Sequence, residues 1–167
     1  PETCRKWRIV VLVLLTLLLF PKRLDYYEFL VIPFQDDGGR QVDLPPEINK
    51  VYATTELGLF LVYTLEPDTI LGWNRGLSPQ LEFAIDPKYH NLPTVGTWDH
   101  QYQTARLDLL QELKPDLIVH YAPVDPQNML LVEEIEETLE TPVILVDNSL
   151  QALPKSLQIL GKVLGKE

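Results

Sequence analysis

The chain of 167 residues has the length of one globular domain, and 46% hydrophobic against 23% charged residues excludes a disordered chain. Fourteen basic and twenty-four acidic residues give a net charge of −10, which argues against a nucleic-acid partner. The single cysteine, Cys4, excludes both a disulfide framework and a cysteine-based metal centre.

The first 23 residues hold five of the fourteen basic residues and a short apolar run. Residues 9–20 are apolar except for Thr16, and Arg5, Lys6 and Arg8 precede them. A helix of this length spans about 18 Å, less than the roughly 30 Å hydrocarbon core of a bilayer. The pattern predicts an N-terminal hydrophobic helix that is a signal peptide or a membrane anchor, with a buried core element as the alternative. We therefore expect the protein at the periplasmic or extracellular face of the cell membrane.

From residue 24 onward the chain is acidic, and apolar segments alternate with helical patterns. Two apolar segments in residues 29–44 flank a turn at residues 37–39, which predicts a β-hairpin rather than a calcium loop. Strands are predicted at residues 50–53, 69–73, 116–120 and 142–146, and a short strand or turn at residues 91–96. Helices are predicted at residues 56–65, 104–113, 127–139 and 153–164. Thr54 or Thr55 is the expected N-cap of the first helix.

The spacing of apolar residues predicts the buried faces of two of these helices. The residues expected to face inward are Leu107, Leu110 and Leu113 in the second helix, and Leu130, Leu131, Ile135 and Leu139 in the third. The glutamates of the third helix are expected to be solvated. Residues 75–87 show no periodic pattern, so we expect them to be irregular.

Strands separated by helices of about ten residues are typical of βαβ units. The sequence therefore predicts an α/β fold, a Rossmann-like parallel sheet flanked by helices. Ligands of such sheets bind beyond the carboxyl ends of the strands. The residues at those ends are Thr54 and Thr55, Trp73, Asn74 and Arg75, Thr97 and Trp98, and His120 and Tyr121. The aromatic side chains among them suit a bulky, partly apolar guest.

Motifs for nucleotide binding and hydrolysis are missing from the sequence. It has no G-x-G-x-x-G, no P-loop and no G-x-S-x-G elbow. Three histidines, His90, His100 and His120, are candidates for a shared metal site, but only His120 falls at a predicted strand end. We therefore expect exposed loop histidines and neither a metal nor a cofactor.

Six segments occur together in the order found in one protein family. They are FQDDGGRQVDLP, KVYATTELGLFLVYTLEPDTILGWN, NLPTVGTW, LLQELKPDLIVHY, ETPVILVD and ALPKSLQILGKVLGKE. With them, residues 29–167 resemble the N-terminal lobe of the ABC-transporter substrate-binding proteins for iron–siderophore, haem and cobalamin. The resemblance implies one lobe of a bilobal class III periplasmic-binding-protein fold. Residues 24–152 would form the ligand-binding lobe with its leading hairpin, and residues 153–167 would begin the helix between the lobes. Because the second lobe would follow, we expect the chain to be a fragment.

The resemblance implies a transport function and no enzyme activity. Such a protein holds a ferric siderophore, or haem or cobalamin, between two lobes and delivers it to ABC permease subunits in the membrane. The residues implied to bind the ligand are Thr54, Thr55, Trp73, Asn74, Trp98, His120 and Tyr121. Asp108 stands where the family has a carboxylate that pairs with permease arginines. The loop after Trp98 is longer than usual in the family, so the roles of His100 and Tyr102 stay open.

Two other functions remain open from the sequence. An extracytoplasmic α/β enzyme would use His120 and Asp125 as acid and base, although no compact nucleophile–base signature accompanies them. A membrane-tethered interaction domain would bind a partner through the acidic helix at residues 127–139, more weakly as salt rises.

Overall fold

The computed structural model describes residues 31–166, so the hydrophobic segment predicted in residues 1–23 lies outside the described residues. The strands are β1 (Ile32–Gln35), β2 (Gln41–Leu44), β3 (Val51–Ala53), β4 (Leu117–Ala122) and β5 (Val143–Asp147). The α-helices are α1 (Glu56–Leu65), α2 (Pro79–Ala84), α3 (Leu107–Leu113), α4 (Pro126–Leu139) and α5 (Leu153–Val163). Among these helices, none combines the length and hydrophobicity that a membrane span requires.

The predicted parallel α/β sheet is confirmed in the strands β3, β4 and β5, which lie in that order with β4 in the centre. Every residue of β4 is buried, as expected for a central strand covered on both faces. Alternate strand residues enter two separate cores. Leu117 and Val119 pack towards α1 and α5, whereas Ile118 and Ala122 pack towards α3 and α4.

The predicted β-hairpin is also confirmed, and its turn covers the β5 edge of the sheet. The backbone N–H of Asp37 donates to the carbonyl oxygen of Leu145 at 3.0 Å. The Asp36 carboxylate accepts from the N–H of Leu145 at 3.1 Å, and the Asp37 carboxylate accepts from the N–H of Asp147 at 2.9 Å. These bonds take the place of a neighbouring strand, so the aspartates protect a sheet edge that would otherwise be open.

The strand predicted at residues 69–73 is wrong, because only single backbone bridges form there. Ile70 bridges to Val51 beside β3, and Trp73 bridges to Thr94. The N–H of Trp73 donates to the carbonyl oxygen of Pro93 at 2.9 Å. The N–H of Val95 donates to the carbonyl oxygen of Trp73 at 2.8 Å and completes this bridge, whereas Pro93 has no N–H with which to extend it. The segments run beside the sheet as extended chain and continue it without regular pairing.

Helix α1 has the predicted bounds, and helix α2 was not predicted. Thr55 caps α1 by accepting from the N–H of Gly58 at 3.3 Å. Helix α2 occupies part of the region expected to be irregular, has no buried residue and therefore carries no apolar periodicity. Its sequence signal is local: Ser78 caps the helix and Pro79 occupies its first turn.

Two leucines expected to face inward are exposed. Leu130 is 67% exposed on α4, and Leu107 is exposed at the start of α3, which begins three residues later than predicted. The buried stripe of α4 consists of Asn128, Leu131, Val132 and Ile135. This is the spacing of one helical face, and it places Leu130 outside the stripe.

Helix α5 ends at Val163, slightly earlier than predicted. Gly165 adopts a positive φ of 68°, and its N–H donates to the carbonyl oxygen of Lys162 at 3.2 Å. The N–H of Lys166 donates to the carbonyl oxygen of Gly161 at 2.6 Å. This pair of bonds is a Schellman motif, which closes a helix. The role of residues 153–167 as the beginning of an interlobe helix remains a prediction.

Candidate functional site

A cleft of about 530 Å³ lies at the carboxyl edge of the parallel sheet. Its lining residues are Thr55, Glu56, Leu57, Asn74, Arg75, Thr97, Asp99, Tyr102, Thr104, Tyr121 and Asn148. Each of the four chain segments predicted to end at this edge contributes at least one residue. Three of the seven predicted ligand-binding residues, Thr55, Asn74 and Tyr121, therefore lie together in one cleft.

Asn74 joins two chain segments beneath the cleft and is only 4% exposed. Its Nδ2 donates to the carbonyl oxygen of Ala53 at 2.9 Å and to that of Gly96 at 2.8 Å. Two carbonyl acceptors require the amide nitrogen on this side, so Oδ1 must occupy the other side. Among the described residues, Oδ1 of Asn74 is buried without a hydrogen-bond partner. A buried acceptor without a partner costs free energy.

Gly96 allows two further segments to approach closely beside the cleft. Its φ is 87°, and a Cβ there would lie 2.0 Å from the carbonyl oxygen of Thr104. Its own carbonyl oxygen accepts from the hydroxyl of Tyr52 at 3.2 Å as well as from Asn74. Only glycine fits this position, although nothing in the sequence distinguishes Gly96 from the other glycines.

The two tryptophans predicted to contact a ligand are both buried outside the cleft lining. Nε1 of Trp73 donates to the carbonyl oxygen of Tyr89 at 2.9 Å, and its ring centroid lies 5.8 Å from that of Tyr63. Trp98 packs in the core on the side of α3 and α4, and its backbone N–H donates to the carbonyl oxygen of Thr54 at 2.9 Å. These rings support the cleft from behind.

Thr54 and His120, also predicted to contact a ligand, are fully buried in a hydrogen-bonded chain. Oγ1 of Thr54 lies 2.7 Å from Nδ1 of His120, and Nε2 of His120 lies 2.9 Å from Oδ1 of Asn128. Nδ2 of Asn128 in turn donates to Asp125 at 3.1 Å. Burial lowers the pKa of His120 and favours the neutral imidazole, and its proton lies on Nε2 because Oδ1 of Asn128 can only accept. These hydrogen bonds connect the ends of β3 and β4 to the start of α4. Because His120 is buried, it is not placed to act on a substrate.

Exposed apolar side chains are concentrated at the same edge of the sheet. Leu57 and Tyr102 line the cleft and are 65% and 56% exposed. Val124 and Leu150 are exposed in the loops that follow β4 and β5. The position of Tyr102, which the sequence left open, is thus in the cleft, whereas His100 is exposed and does not line it. An apolar rim of this kind is typical of a surface that binds a guest or a second body.

Asp108 is exposed in the first turn of α3, and its carboxylate lies 3.6 Å from Arg106. Within residues 31–166, no group of three or more histidine, cysteine, aspartate or glutamate side chains is arranged to hold a metal ion.

A larger cavity, of about 810 Å³, lies between the hairpin and α5. It shares no lining residue with the cleft and includes Phe34, Asp37, Lys155 and Ile159. Lys155 pairs there with Asp37. Because this cavity contains none of the predicted ligand-binding residues, the smaller cleft at the carboxyl edge is the candidate site.

Comparison with known proteins finds similarity in structure alone. No family model matches the chain, and no curated protein matches its sequence. An ABC transporter solute-binding protein from Sulfurospirillum deleyianum superimposes with a TM-score of 0.69 at 21% identity, over 81% of this chain and 42% of that one. The molybdate periplasmic binding protein MolA of Haemophilus influenzae superimposes with a TM-score of 0.62 at 18% identity, over 81% of this chain and 47% of that one. The periplasmic catecholate-siderophore binding protein VctP of Vibrio cholerae superimposes with a TM-score of 0.51 at 18% identity, over 81% of this chain and 46% of that one.

These similarities confirm the predicted fold, which is that of one lobe of a class III periplasmic binding protein. The chain spans less than half the length of these structures. Two of them are named for different ligands, molybdate and a catecholate siderophore. At this level of identity the likeness shows the fold, and the ligand must be inferred from the cleft itself.

Proposed function

We propose that this chain is the N-terminal lobe of the substrate-binding component of an ABC importer for iron complexes. The lobe holds one side of a ferric siderophore, or of haem or cobalamin, and a second lobe covers the other side. The complete protein acts at the periplasmic or extracellular face of the membrane and delivers its ligand to permease subunits. The function is binding and delivery, with no chemical step.

The observation that supports this proposal is the shared cleft at the carboxyl edge. Thr55, Asn74, Thr97 and Tyr121 come from four separate chain segments and line one concavity. Its volume of about 530 Å³ lies within the range of small-molecule sites. A shallow, open site of this size suits one half of a cleft that closes around a bulky ligand.

The rim of the cleft supports a ligand with substantial apolar surface. The side chains of Leu57 and Tyr102 line the cleft and leave more than half of their surface exposed. Burying such side chains against a ligand contributes about 25 cal/mol per Å² of apolar surface. An organic shell around a metal ion offers that surface, whereas a bare ion does not.

The docking role of Asp108 also belongs to this proposal. Helix α3 presents Asp108 and Glu112 as exposed acids four residues apart. We expect Asp108→Lys to abolish capture by the permease subunits in a detergent pull-down, because the lysine repels their arginines. Glu112→Lys makes the same charge change on the same helix and is the matched control. If both variants lost capture equally, the loss would be due to the overall charge of the helix, and the docking role of Asp108 would be contradicted.

The binding function is tested by fluorescence titration of the complete protein, with both lobes, against ferric complexes. A ferric chelate in the cleft should quench tryptophan emission, because Trp73 and Trp98 are each adjacent in the chain to residues that line the cleft. Tyr102→Ser should weaken binding about fivefold, since one aromatic contact of about 1 kcal/mol is lost.

Phe83→Ser is the control, because Phe83 is 95% exposed and lies outside the cleft lining. It should leave the dissociation constant unchanged. Absence of saturable quenching by hydroxamate, catecholate, haem and cobalamin ligands would contradict the proposed function.

A further inference from the structure

The charged side chains of the cleft leave an excess of negative charge. Its charged lining residues are Glu56, Arg75 and Asp99. Arg75 donates to the carboxylate of Glu56 at 2.6 Å, so these two charges compensate each other. Within the described part of the chain, no lysine or arginine pairs with Asp99, and Arg75 is the only cation that lines the cleft.

Asp99 is held in place by its own loop. Its Oδ1 accepts from the backbone N–H of Gln101 at 2.7 Å and from that of Tyr102 at 2.6 Å. These bonds fix the carboxylate in the half-buried wall of the cleft. A second carboxylate, Asp147 at the end of β5, lies near enough to Tyr121 to add to the effect of burial in raising the pKa of that phenol.

Two neutral side chains of the cleft, Thr55 and Asn74, use their hydrogen-bond donors on backbone carbonyl oxygens of the protein. Both N–H groups of Asn74 point to backbone carbonyl oxygens, which leaves its Oδ1 as an acceptor. The hydroxyl of Thr55 donates to the carbonyl oxygen of Tyr121 at 3.2 Å. Because Oδ1 of Asn74 is itself buried, the uncompensated charge that a ligand meets is the carboxylate of Asp99, where an anion would require a cation or free donors.

We infer that the cleft selects a neutral or cationic metal complex that presents N–H or O–H groups, and discriminates against anionic complexes. This inference rests on the proposed function and narrows it. Three hydroxamates, each with one negative charge, neutralise a trivalent metal ion. Three catecholates, each with two, leave a net charge of −3, and molybdate is a dianion. The trihydroxamate class fits the cleft, and the latter two classes meet repulsion from Asp99.

Calorimetric titration of the 167-residue chain with gallium complexes compares these classes directly. Ga³⁺ has the charge of Fe³⁺ and is redox-inert, so one metal serves for both chelates. We expect the neutral tris-hydroxamate complex to bind at least tenfold more tightly than the tris-catecholate complex or molybdate. Equal or tighter binding of either anion would overturn the inference and leave the proposed function standing. Binding of none of the three would overturn the inference, and the absence of haem and cobalamin binding as well would contradict the proposed function.

Asp99→Asn tests the residue that carries the discrimination. Asparagine keeps the Oδ1 acceptor for the loop N–H groups and removes only the charge. The affinity ratio between the neutral and the −3 complex should fall about threefold or more. Glu133→Gln, an exposed charge removal on α4 outside the cleft lining, should leave the ratio unchanged. An unchanged ratio in Asp99→Asn would contradict the inference.

Salt dependence supplies a test that needs no substitution. Repulsion between exposed charges is screened as the ionic strength rises. Between 0.02 and 0.5 M NaCl, the affinity of the wild-type chain for the tris-catecholate complex should therefore increase, while that for the neutral complex should change by less than twofold. Weaker catecholate binding at high salt would indicate attraction and overturn the inference.

Discussion

The regular framework of the protein and its irregular segment at residues 66–106 are held together in different ways. The framework consists of β3, β4 and β5 with α1, α4 and α5, and its strands and helices are joined by backbone ladders and two apolar cores. The irregular segment contains only short helices and single backbone bridges. Nevertheless, it supplies six of the eleven residues that line the cleft.

Individual side-chain bonds to the backbone stabilise the irregular segment, in addition to the apolar residues that it places in the two cores: Ile70, Trp73, Ile85, Tyr89, Val95 and Trp98. Trp73 donates to Tyr89, Asn74 to Gly96, and Tyr52 of the framework reaches Gly96 as well. Each such bond contributes about 1 kcal/mol, and each buried group left unpaired costs about 1–3 kcal/mol. We therefore expect the loss of one hydrogen bond to affect the framework little, whereas the cleft depends on a few specific hydrogen bonds.

Gly96→Ala should break the irregular segment most severely. The added Cβ would meet the carbonyl oxygen of Thr104 at 2.0 Å, in a backbone conformation that alanine also disfavours. We expect the free energy of unfolding to fall by about 4 kcal/mol or more in urea titrations. Gly39→Ala has a similar positive φ but open space around its Cβ, and should cost about 1 kcal/mol. Equal losses would contradict the steric explanation.

Leu131→Ala tests the framework by the same measurement. Leu131 is buried in the core between α4 and the sheet, so truncation leaves a cavity and should cost about 3 kcal/mol. The neighbouring Leu130→Ala removes the same atoms from the exposed face of α4 and should change stability by less than about 0.5 kcal/mol. A larger effect at Leu130 would restore the sequence-based prediction of the buried face.

Asn74→Ala tests the link between the two regions. It removes both hydrogen bonds to Ala53 and Gly96 and should lower the free energy of unfolding by about 2 kcal/mol. Asn91→Ala, at an exposed position of the irregular segment, should remain within about 0.5 kcal/mol of wild type. Equal free energies of unfolding for the two variants would contradict the role of Asn74 in connecting the two regions.

Acid should weaken the link that His120 makes within the framework. Burial lowers the pKa of His120 from 6.5, so the unfolded chain binds this proton first as the pH falls. Its contribution to stability is therefore complete above pH 6.5 and is lost below it, by up to about 1.4 kcal/mol per pH unit. Unfolding free energies measured at pH 7.5, 6.5 and 5.5 should show this slope, and it should diminish in His120→Gln. The control His100→Gln, at an exposed position, should retain it.

Periodicity and turn chemistry predicted the framework well, because its elements are long enough to show a pattern. Helix α1 has the expected bounds, and the buried run LIVH marked β4. Leu130 was misassigned because Leu130, Leu131 and Val132 are all apolar, so composition alone could not identify the inner stripe.

The candidate site was predicted at the edge of the sheet where the cleft lies, and the prediction named only part of the cleft lining. The rule for parallel sheets located that edge, and Thr55, Asn74 and Tyr121 line the cleft as expected. Trp73, Trp98, Thr54 and His120 are buried instead, because neighbouring residues of a strand end point to opposite sides. Asp99 carried no sequence signal, since its position depends on a loop closed by its own carboxylate.

The central claim, that the carboxyl edge binds the ligand, is tested most directly by NMR. The ¹⁵N-labelled chain is titrated with the diamagnetic gallium tris-hydroxamate complex, and the amide shifts are mapped. We expect saturable shifts at Thr55, Asn74, Thr97 and Tyr121, including the side-chain amide of Asn74. Shifts confined to the cavity between the hairpin and α5, at Phe34, Lys155 and Ile159, would contradict the central claim.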